Sequence, residues 1–214
     1  MMVTLPLRAP ARWAEELVRG RAAWIRHHSG RVEDQLRRLA ARPGLGDGRM
    51  LHLCGVAHQI VVEMVEPLTG RRARGRVVHE PAERLILVQL APGDERPLGG
   101  VLEPWLRGEA RRVIEERTAA FAPRLGVRPQ RVTVRDQRSR WGSASRRGTL
   151  SFNWRLVLAP PHVLDYVVIH ELAHLADYSH SAAFWRSVRA LAPEADEARR
   201  WLRSHGSELR AALD

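Results

Sequence analysis

The sequence predicts an α+β protein in which strand-like and helical stretches follow one another along 214 residues. Apolar and polar residues alternate as in strands within residues 50–90 and again within 131–154. Apolar residues recur at helical spacing within residues 11–41 and 98–125, and several helical stretches close the chain. These periodicities are the basis for each element described below.

The first predicted element is a helical segment at residues 11–41, where apolar side chains recur every three to four positions amid arginine and glutamate. They are Trp13, Leu17, Trp24, Ile25, Val32, Leu36 and Leu39. Residues 42–48, rich in glycine, form the clearest linker. We therefore expect an N-terminal helical segment at residues 1–47 and one larger domain at residues 48–214.

Strands are predicted next, with the best runs at residues 59–65 and 84–90. Turn signals at Thr69-Gly70 and Glu80-Pro81 indicate antiparallel hairpins. Cys54 is interpreted as a strand residue rather than a reactive thiol. As the single cysteine, it excludes an intramolecular disulfide and a cysteine-based zinc ribbon.

A long helix is predicted at residues 98–125, with Gly126 as its stop. Its buried face is expected to contain Leu106, Ala110, Val113, Ile114 and Phe121. Two strands follow, at residues 131–135 and 148–154, and the second is expected to be an edge strand beside a cleft. Helices at residues 182–191 and 194–209 close the chain. In these helices Phe184, Trp185 and Trp201 are expected to pack in the core.

The most informative segment is residues 170–174, which read His-Glu-Leu-Ala-His within a predicted helix at residues 161–176. Pro161 suits the first turn of this helix, and no glycine or proline follows it. His170 and His174 lie one turn apart on one face, so that both can bind one metal ion. The apolar stripe of the helix lies more than a quarter-turn away and comprises Leu164, Val168, Leu172 and Leu175.

This arrangement is typical of a catalytic zinc site, with two imidazole ligands and Glu171 as the general base that deprotonates a zinc-bound water. Catalytic zinc usually takes three protein ligands, and His180 follows shortly after the helix. The spacing from His174 to His180 equals that of metzincins. However, the expected midway glycine is Asp177, and every methionine lies upstream of the motif, so the metzincin reading fails.

Four runs around the motif resemble one known family. They are residues 138–143 (Arg-Ser-Arg-Trp-Gly-Ser), 150–156 (Leu-Ser-Phe-Asn-Trp-Arg-Leu), 165–175 (Asp-Tyr-Val-Val-Ile-His-Glu-Leu-Ala-His-Leu) and 180–185 (His-Ser-Ala-Ala-Phe-Trp). In this order they resemble the YgjP-like metallopeptidases, which are relatives of the SprT-type zincins. The strong match covers roughly residues 100–205, and a weaker one reaches back to about Trp24.

The resemblance implies a zincin-like α+β domain with an antiparallel sheet and an active-site helix. It also implies that His170, His174 and His180 bind zinc and that Glu171 is the catalytic acid/base. Ala144 stands where the family often has cysteine, which removes nothing that the metal needs. Residues 3–10 resemble the end of an N-terminal β-segment that relatives extend upstream, so we expect that the N-terminus is incomplete or that this segment is dispensable.

The charge is strongly basic, at +11, and all 35 basic residues are arginine. Such an excess raises affinity for polyanions, so a nucleotide or nucleic acid is a possible anionic ligand. Codon bias in a GC-rich genome explains the absence of lysine better than selection for a ligand does. No apolar run approaches the ~20 residues that span a membrane, and no signal-peptide core begins the chain, so we expect a cytoplasmic protein without a membrane partner.

Arginines surround Trp141 just before the predicted zinc helix, at positions 138, 140, 146 and 147. They are interpreted either as the wall of the cleft or as a solvated loop between strands. Arg140 or Tyr178 is a candidate for stabilising an oxyanion, and the sequence does not choose between them.

The leading hypothesis is a zinc metallopeptidase in which zinc-bound water, activated by Glu171, attacks a peptide bond of a peptide or protein substrate. The first alternative is a metal-dependent nucleoside triphosphate pyrophosphatase or other phosphoanhydride hydrolase, although no P-loop is present. The second is a nucleic-acid-associated module whose zinc is structural. A structural site needs a fourth protein ligand, for which the sequence offers no motif-spaced candidate.

Overall fold

The computed structural model describes residue 10 and residues 12–22, 44–65 and 75–213, and it confirms the α+β class, with two mixed sheets and several helices. The chain divides into two compact units, Met1–Pro43 and Gly44–Asp214. The domain boundary between residues 47 and 48 stays a prediction.

In the first unit, helix α1 spans Arg12–Gly20. Glu15 lies in its first turn and Arg19 in its last, which matches the charge preference of the helix dipole. The remaining part of the predicted helical segment, from residue 23 to residue 41, lies outside the described residues.

The second unit begins with a four-stranded sheet in the order β1-β2-β4-β3. Its strands are Met50–Leu53 (β1), Val56–Met64 (β2), Arg76–Glu80 (β3) and Leu85–Leu90 (β4). The pairs β1–β2 and β3–β4 are antiparallel, so the hairpin predicted at Glu80-Pro81 is confirmed. Cys54 lies in the turn after β1 with a φ of 47°, not in a strand, and burial raises the pKa of its thiol.

The predicted antiparallel sheet is a mixed sheet, because its two central strands, β2 and β4, pair in parallel. Thr69-Gly70 lies outside the described residues, and β2 and β3 are not neighbours. The parallel register places Ile60 opposite Ile86, and both side chains are fully buried. Burial of these apolar side chains in the centre of the sheet stabilises the parallel pairing. This contribution outweighs the local conformational preference of a turn.

Helix α2 spans Leu98–Phe121 and continues as a short 3₁₀ turn, Pro123–Leu125. Gly126 then ends it with a left-handed φ of 67°, as predicted. Of the five residues expected on its inner face, Phe121 is half-buried and the other four are buried in the core.

The second sheet has the order β5-β7-β6, formed by Arg131–Arg135 (β5), Gly142–Ala144 (β6) and Thr149–Asn153 (β7). Strand β7 pairs in parallel with β5 and antiparallel with β6. The prediction that residues 148–154 form an edge strand is therefore wrong, and β6 is the edge strand instead. Leu150 and Phe152 are fully buried, which is typical of a central strand.

The C-terminal half is helical. A 3₁₀ segment, Trp154–Leu158, leads into α3 (Pro161–Ala173), α4 (Ala182–Leu191) and α5 (Ala195–Arg210), close to the predicted bounds. Phe184 is buried, and Trp185 and Trp201 pack partly buried against the core, as predicted. Among the described helices, none is long and apolar enough to cross a membrane.

Candidate metal centre

Helix α3 presents His170, Glu171 and His174 from the middle of the second unit. It packs against α2, α4, α5 and β6. Leu164, Val168 and Leu172 of the predicted stripe are buried, but so are side chains on its other faces, Val163, Tyr166, Val167 and Ile169 among them. The helix is therefore enclosed on most sides rather than on one stripe, and this holds the backbone of the motif in place.

The end of α3 orients His174. Its Nδ1 lies 3.1 Å from the carbonyl oxygen of Asp177. Because a carbonyl can only accept, Nδ1 carries the hydrogen, and the neutral ring keeps its lone pair on Nε2. This hydrogen bond is the kind of contact that fixes the tautomer of a metal-binding histidine.

The loop after α3 carries His180 back toward the helix. The carboxylate of Asp177 accepts from the backbone N–H of Ser179 at 2.7 Å and from the hydroxyl of Ser181 at 2.5 Å. Ser181 in turn caps α4 by accepting from the N–H of Phe184. His180, held between these contacts, has a φ of 49°, a left-handed conformation that costs energy for a non-glycine residue.

The three imidazoles converge on one point. Their ligand atoms all lie within 4.8 Å of one another, and the Nε2 atoms of His170 and His180 are 3.4 Å apart. Burial, followed by the neighbouring His174 and His180, lowers the pKa of His170 to about 4. The pKa of His174 is also lowered by burial. Both rings are thus held neutral, which is the form that binds a metal ion.

The donor set fits a metal ion such as zinc, since three imidazoles whose ring nitrogens converge are typical ligands. One feature departs from the usual pattern: His170 Nδ1 is buried and has no hydrogen-bond partner among the described residues. The fit of the site to a metal ion therefore rests on the convergence of the ring nitrogens that face one another.

Aromatic rings of α4 enclose the imidazoles. The ring centroid of Phe184 lies 5.1 Å from that of His170, 4.7 Å from that of His174 and 4.9 Å from that of His180. Trp185 stacks on His180 at 6.0 Å. The residues predicted to be core therefore also form one wall of the site, and their rings limit how far the histidines can turn.

Glu171 is buried, with 7% of its surface exposed, and it makes no hydrogen bond with any other described residue. Burial raises the pKa of its carboxyl to about 7, and Arg140 opposes this rise. Its neighbour on β6 is Gly142. A Cβ atom at Gly142 would lie 2.6 Å from Cγ and Oε1 of Glu171, so this glycine is what lets the carboxylate lie against the strand.

The segment before β6 is clamped by the end of α5, a contact that sequence reasoning missed. The guanidinium of Arg210 lies 4.4 Å from the ring centre of Trp141 and donates to the carbonyl of Gln137 at 2.7 Å. Gly206 lies against the same indole, whose Cζ2 would be 3.2 Å from an added Cβ. The Trp141 carbonyl accepts from the N–H of Asn153 in β7. Nothing local in the sequence links Arg210 to Trp141.

The two candidates for oxyanion stabilisation lie near the histidines. Tyr178 is 42% exposed, and its ring stacks on that of His174 at a centroid distance of 6.0 Å. Arg140 is exposed and close enough to Glu171 to lower its pKa. The geometry does not choose between them.

Comparison with known proteins gives the following matches. The model of the YgjP-like family, described as a YgjP-like metallopeptidase domain, matches residues 1–205. Among solved structures, the chain is similar to the metallopeptidase zymogen abylysin of Pyrococcus abyssi. The identity is 28% and the TM-score 0.39, over 42% of this chain and 93% of that one. No curated protein sequence matches the chain.

Proposed function

Because the chain belongs to the YgjP-like metallopeptidase family, we propose that it is a zinc-dependent peptidase whose site is formed by His170, His174, His180 and Glu171. The observation that carries this proposal is the convergence of three imidazoles within 4.8 Å, next to a buried carboxylate on the same helix. Peptidase membership implies a peptide or protein substrate.

Zinc is the proposed metal because it favours imidazole nitrogen and because catalytic sites have three protein ligands and an open fourth position. In the described part of the chain, three histidines and no fourth His, Cys or carboxylate group converge there. His180 is exposed, so solvent and substrate can reach the cluster of histidines. Zinc, when bound, supplies Lewis-acid chemistry, lowering the pKa of water and polarising a carbonyl.

Glu171 is proposed as the general base. It takes a proton from the attacking water and passes it to the leaving amine. In the metal-free protein burial raises the pKa of this carboxyl to about 7, which makes it a stronger base than an exposed glutamate. Burial, the main cause of this pKa, also strengthens the electrostatic interactions of the carboxylate.

Strand β6 is proposed to bind the substrate backbone. It is the edge of its sheet next to Glu171, and an extended peptide can pair with the free groups of such an edge. Arg140 and Tyr178 are retained as candidates to stabilise the oxyanion that forms when the carbonyl is attacked.

The test is to replace Glu171 by Gln, which keeps the volume of the side chain but removes the base. We expect the variant to bind zinc as the unmodified protein does, with peptide turnover about 10²–10⁴-fold lower. Zinc content is measured by atomic emission and turnover on an unfolded protein by mass spectrometry of the products. Glu116→Gln, on the exposed surface of α2, is the matched control and is expected to retain full activity.

Full activity of a zinc-loaded Glu171→Gln protein would contradict the assignment of the base. The same preparations incubated with nucleoside triphosphates, with and without chelator, separate a peptidase from a phosphoanhydride hydrolase. Chelator-sensitive release of phosphate without peptide cleavage would overturn the proposal.

A further inference from the structure

The hairpin that joins β6 to β7 holds two arginines, Arg146 and Arg147, at its exposed tip. Its turn is tightly bonded: the N–H of Gly148 donates to the Ser145 carbonyl at 2.9 Å, and the N–H of Thr149 donates to the Ser145 hydroxyl at 3.1 Å. Gly148 has a φ of 77°, which the turn requires. The tip is thus a defined position at the end of the edge strand.

Arg146 is directed toward the candidate metal centre. Its guanidinium lies 6.0 Å from the ring centre of Tyr178, and Tyr178 stacks on His174 at 6.0 Å. The chain of contacts from hairpin to tyrosine to imidazole places a positive charge beside the site. The aromatic contact favours this orientation of the guanidinium.

On this side of the site the Glu171 carboxylate interacts electrostatically with Arg140 without forming an ion pair with it. Arg140 and Arg146 form no ion pair with a described residue. The nearest acid along the loop, Asp177, is engaged by Ser179 and Ser181. The arginines that flank Trp185, by contrast, share one carboxylate. Those contacts are from Arg189 and Arg199 to Asp196, both at 3.4 Å.

We propose that Arg146 selects peptide substrates that carry an acidic side chain near the bond to be cleaved. This inference rests on the proposed peptidase function. A peptide is favoured over a nucleic acid because Arg140 and Arg146 flank the two ends of the edge strand β6, whose backbone groups match an extended polypeptide.

The spacing of residues along β6 predicts the position of the acidic residue in the substrate peptide. Gly142, at the start of the strand, lies against Glu171, and Arg146 follows four positions later. At about 3.3 Å per residue, a peptide paired with this strand reaches Arg146 within about four residues of the scissile bond. The acidic side chain is therefore expected within that distance and on the side of Tyr178.

The experiment uses the full-length, zinc-loaded protein and two matched peptide series. Cleavage sites are first located in an unfolded protein by mass spectrometry. Peptides around one site then carry a single Glu or a single Gln at each position up to four residues from the bond. At low salt we expect kcat/KM for the best Glu peptide to exceed that of its Gln partner by about three- to fivefold, the size typical of an exposed charge pair.

Two variants test whether Arg146 causes the preference for the Glu peptide. Arg146→Gln is expected to lower kcat/KM for the Glu peptide more than for the Gln peptide and to bring their ratio close to one. Arg131→Gln removes the same charge from β5, at the opposite edge of the same sheet, and is expected to leave the ratio unchanged. Raising the salt concentration should also reduce the ratio.

The outcomes separate this inference from the peptidase proposal. Equal rates for Glu and Gln peptides, or a preference that persists in Arg146→Gln, would overturn the inference and leave the peptidase standing. If no peptide is cleaved, the peptidase proposal fails, and binding of the same peptides is measured by fluorescence anisotropy. Tighter binding of the Glu peptide that depends on Arg146 supports the inference. Equal affinities for the Glu and Gln peptides overturn it. Tighter, Arg146-dependent binding of a single-stranded oligonucleotide would assign the surface to nucleic acid instead.

Discussion

At the scale of single residues, the environment of Glu171 depends on an absent side chain. The carboxyl lies against the backbone of Gly142, where any Cβ would approach within 2.6 Å of it. Burial raises the pKa of this carboxyl to about 7. A glycine that takes no part in the chemistry thus allows the carboxyl of the proposed base to lie against the strand.

Gly142→Ala is therefore expected to push Glu171 or β6 aside. Because a displacement of about 1 Å at a catalytic group costs on the order of 10²-fold, we expect turnover to fall by about that factor. Zinc binding is expected to persist, because the three atoms nearest to an added Cβ at Gly142 all belong to Glu171. Turnover and zinc content are measured on the same sample.

Gly108→Ala is the matched control, since an added Cβ on α2 meets no heavy atom within 4 Å. It is expected to keep full turnover and to gain up to about 1 kcal/mol in stability. A Gly142→Ala protein as active as this control would show that the contact with Glu171 has no functional role.

At the scale of elements, the loop between α3 and α4 positions His180, the third proposed ligand. Helical spacing brings His170 and His174 together, but His180 returns only because the loop is bonded to itself and to the start of α4. The side-chain carboxylate of Asp177 accepts most of these hydrogen bonds. The backbone carbonyl of the same residue accepts from Nδ1 of His174 and orients that ring. The strained φ of His180 is stabilised by this bracing.

Asp177→Ala removes the carboxylate that accepts hydrogen bonds from Ser179 and Ser181, but it leaves all three histidines. We expect zinc affinity to fall about 10- to 100-fold, as for other residues that orient metal ligands. Competition with a chromogenic chelator measures it, independently of turnover.

For comparison, Asp94→Ala removes a carboxylate that braces a different loop, where it accepts from the N–H of Gly75 and from Arg96. Its zinc affinity should be unchanged. Equal affinities for Asp177→Ala and Asp94→Ala would mean that the loop positions His180 without its carboxylate.

At the scale of the molecule, the C-terminal helix α5 shapes a site to which it contributes no ligand. Arg210 bonds to Gln137, 73 positions earlier in the chain, and covers the ring of Trp141. Trp141 directly precedes Gly142, so the helix fixes the start of the edge strand on which Glu171 rests. Residues 206 and 210 lie beyond the stretch that the family model matches.

Arg210→Ala is expected to lower peptide turnover about tenfold or more by loosening β6, with zinc affinity nearly unchanged. Arg210→Lys, which keeps the charge but loses the planar stack, should restore part of the activity. Steady-state kinetics and chelator competition provide the two readouts.

Arg200→Ala, on an exposed part of the same helix, controls for a general effect on α5. If Arg210→Ala and Arg200→Ala have the same kcat, the clamp on Trp141 has no influence on the site.

The sequence by itself determined the features that arise from local spacing. Two histidines and a glutamate at helical positions, a proline at the start of α3 and a glycine after α2 act within one or two turns, so periodicity and turn chemistry predict them. The boundaries of α2, α4 and α5 were predicted for the same reason. His180 as a ligand was predicted from its short distance to the helix, and its assignment as a zinc ligand stays a prediction.

Only the tertiary structure decided what joins distant parts of the chain. It made β2 and β4 parallel neighbours, placed β7 in the centre of its sheet and β6 at the edge, and set Gly142 against Glu171. It also packed Arg210 on Trp141. The physical reason is that strand pairing and side-chain packing are selected by the apolar area that the whole domain buries, and that area depends on residues far apart in sequence.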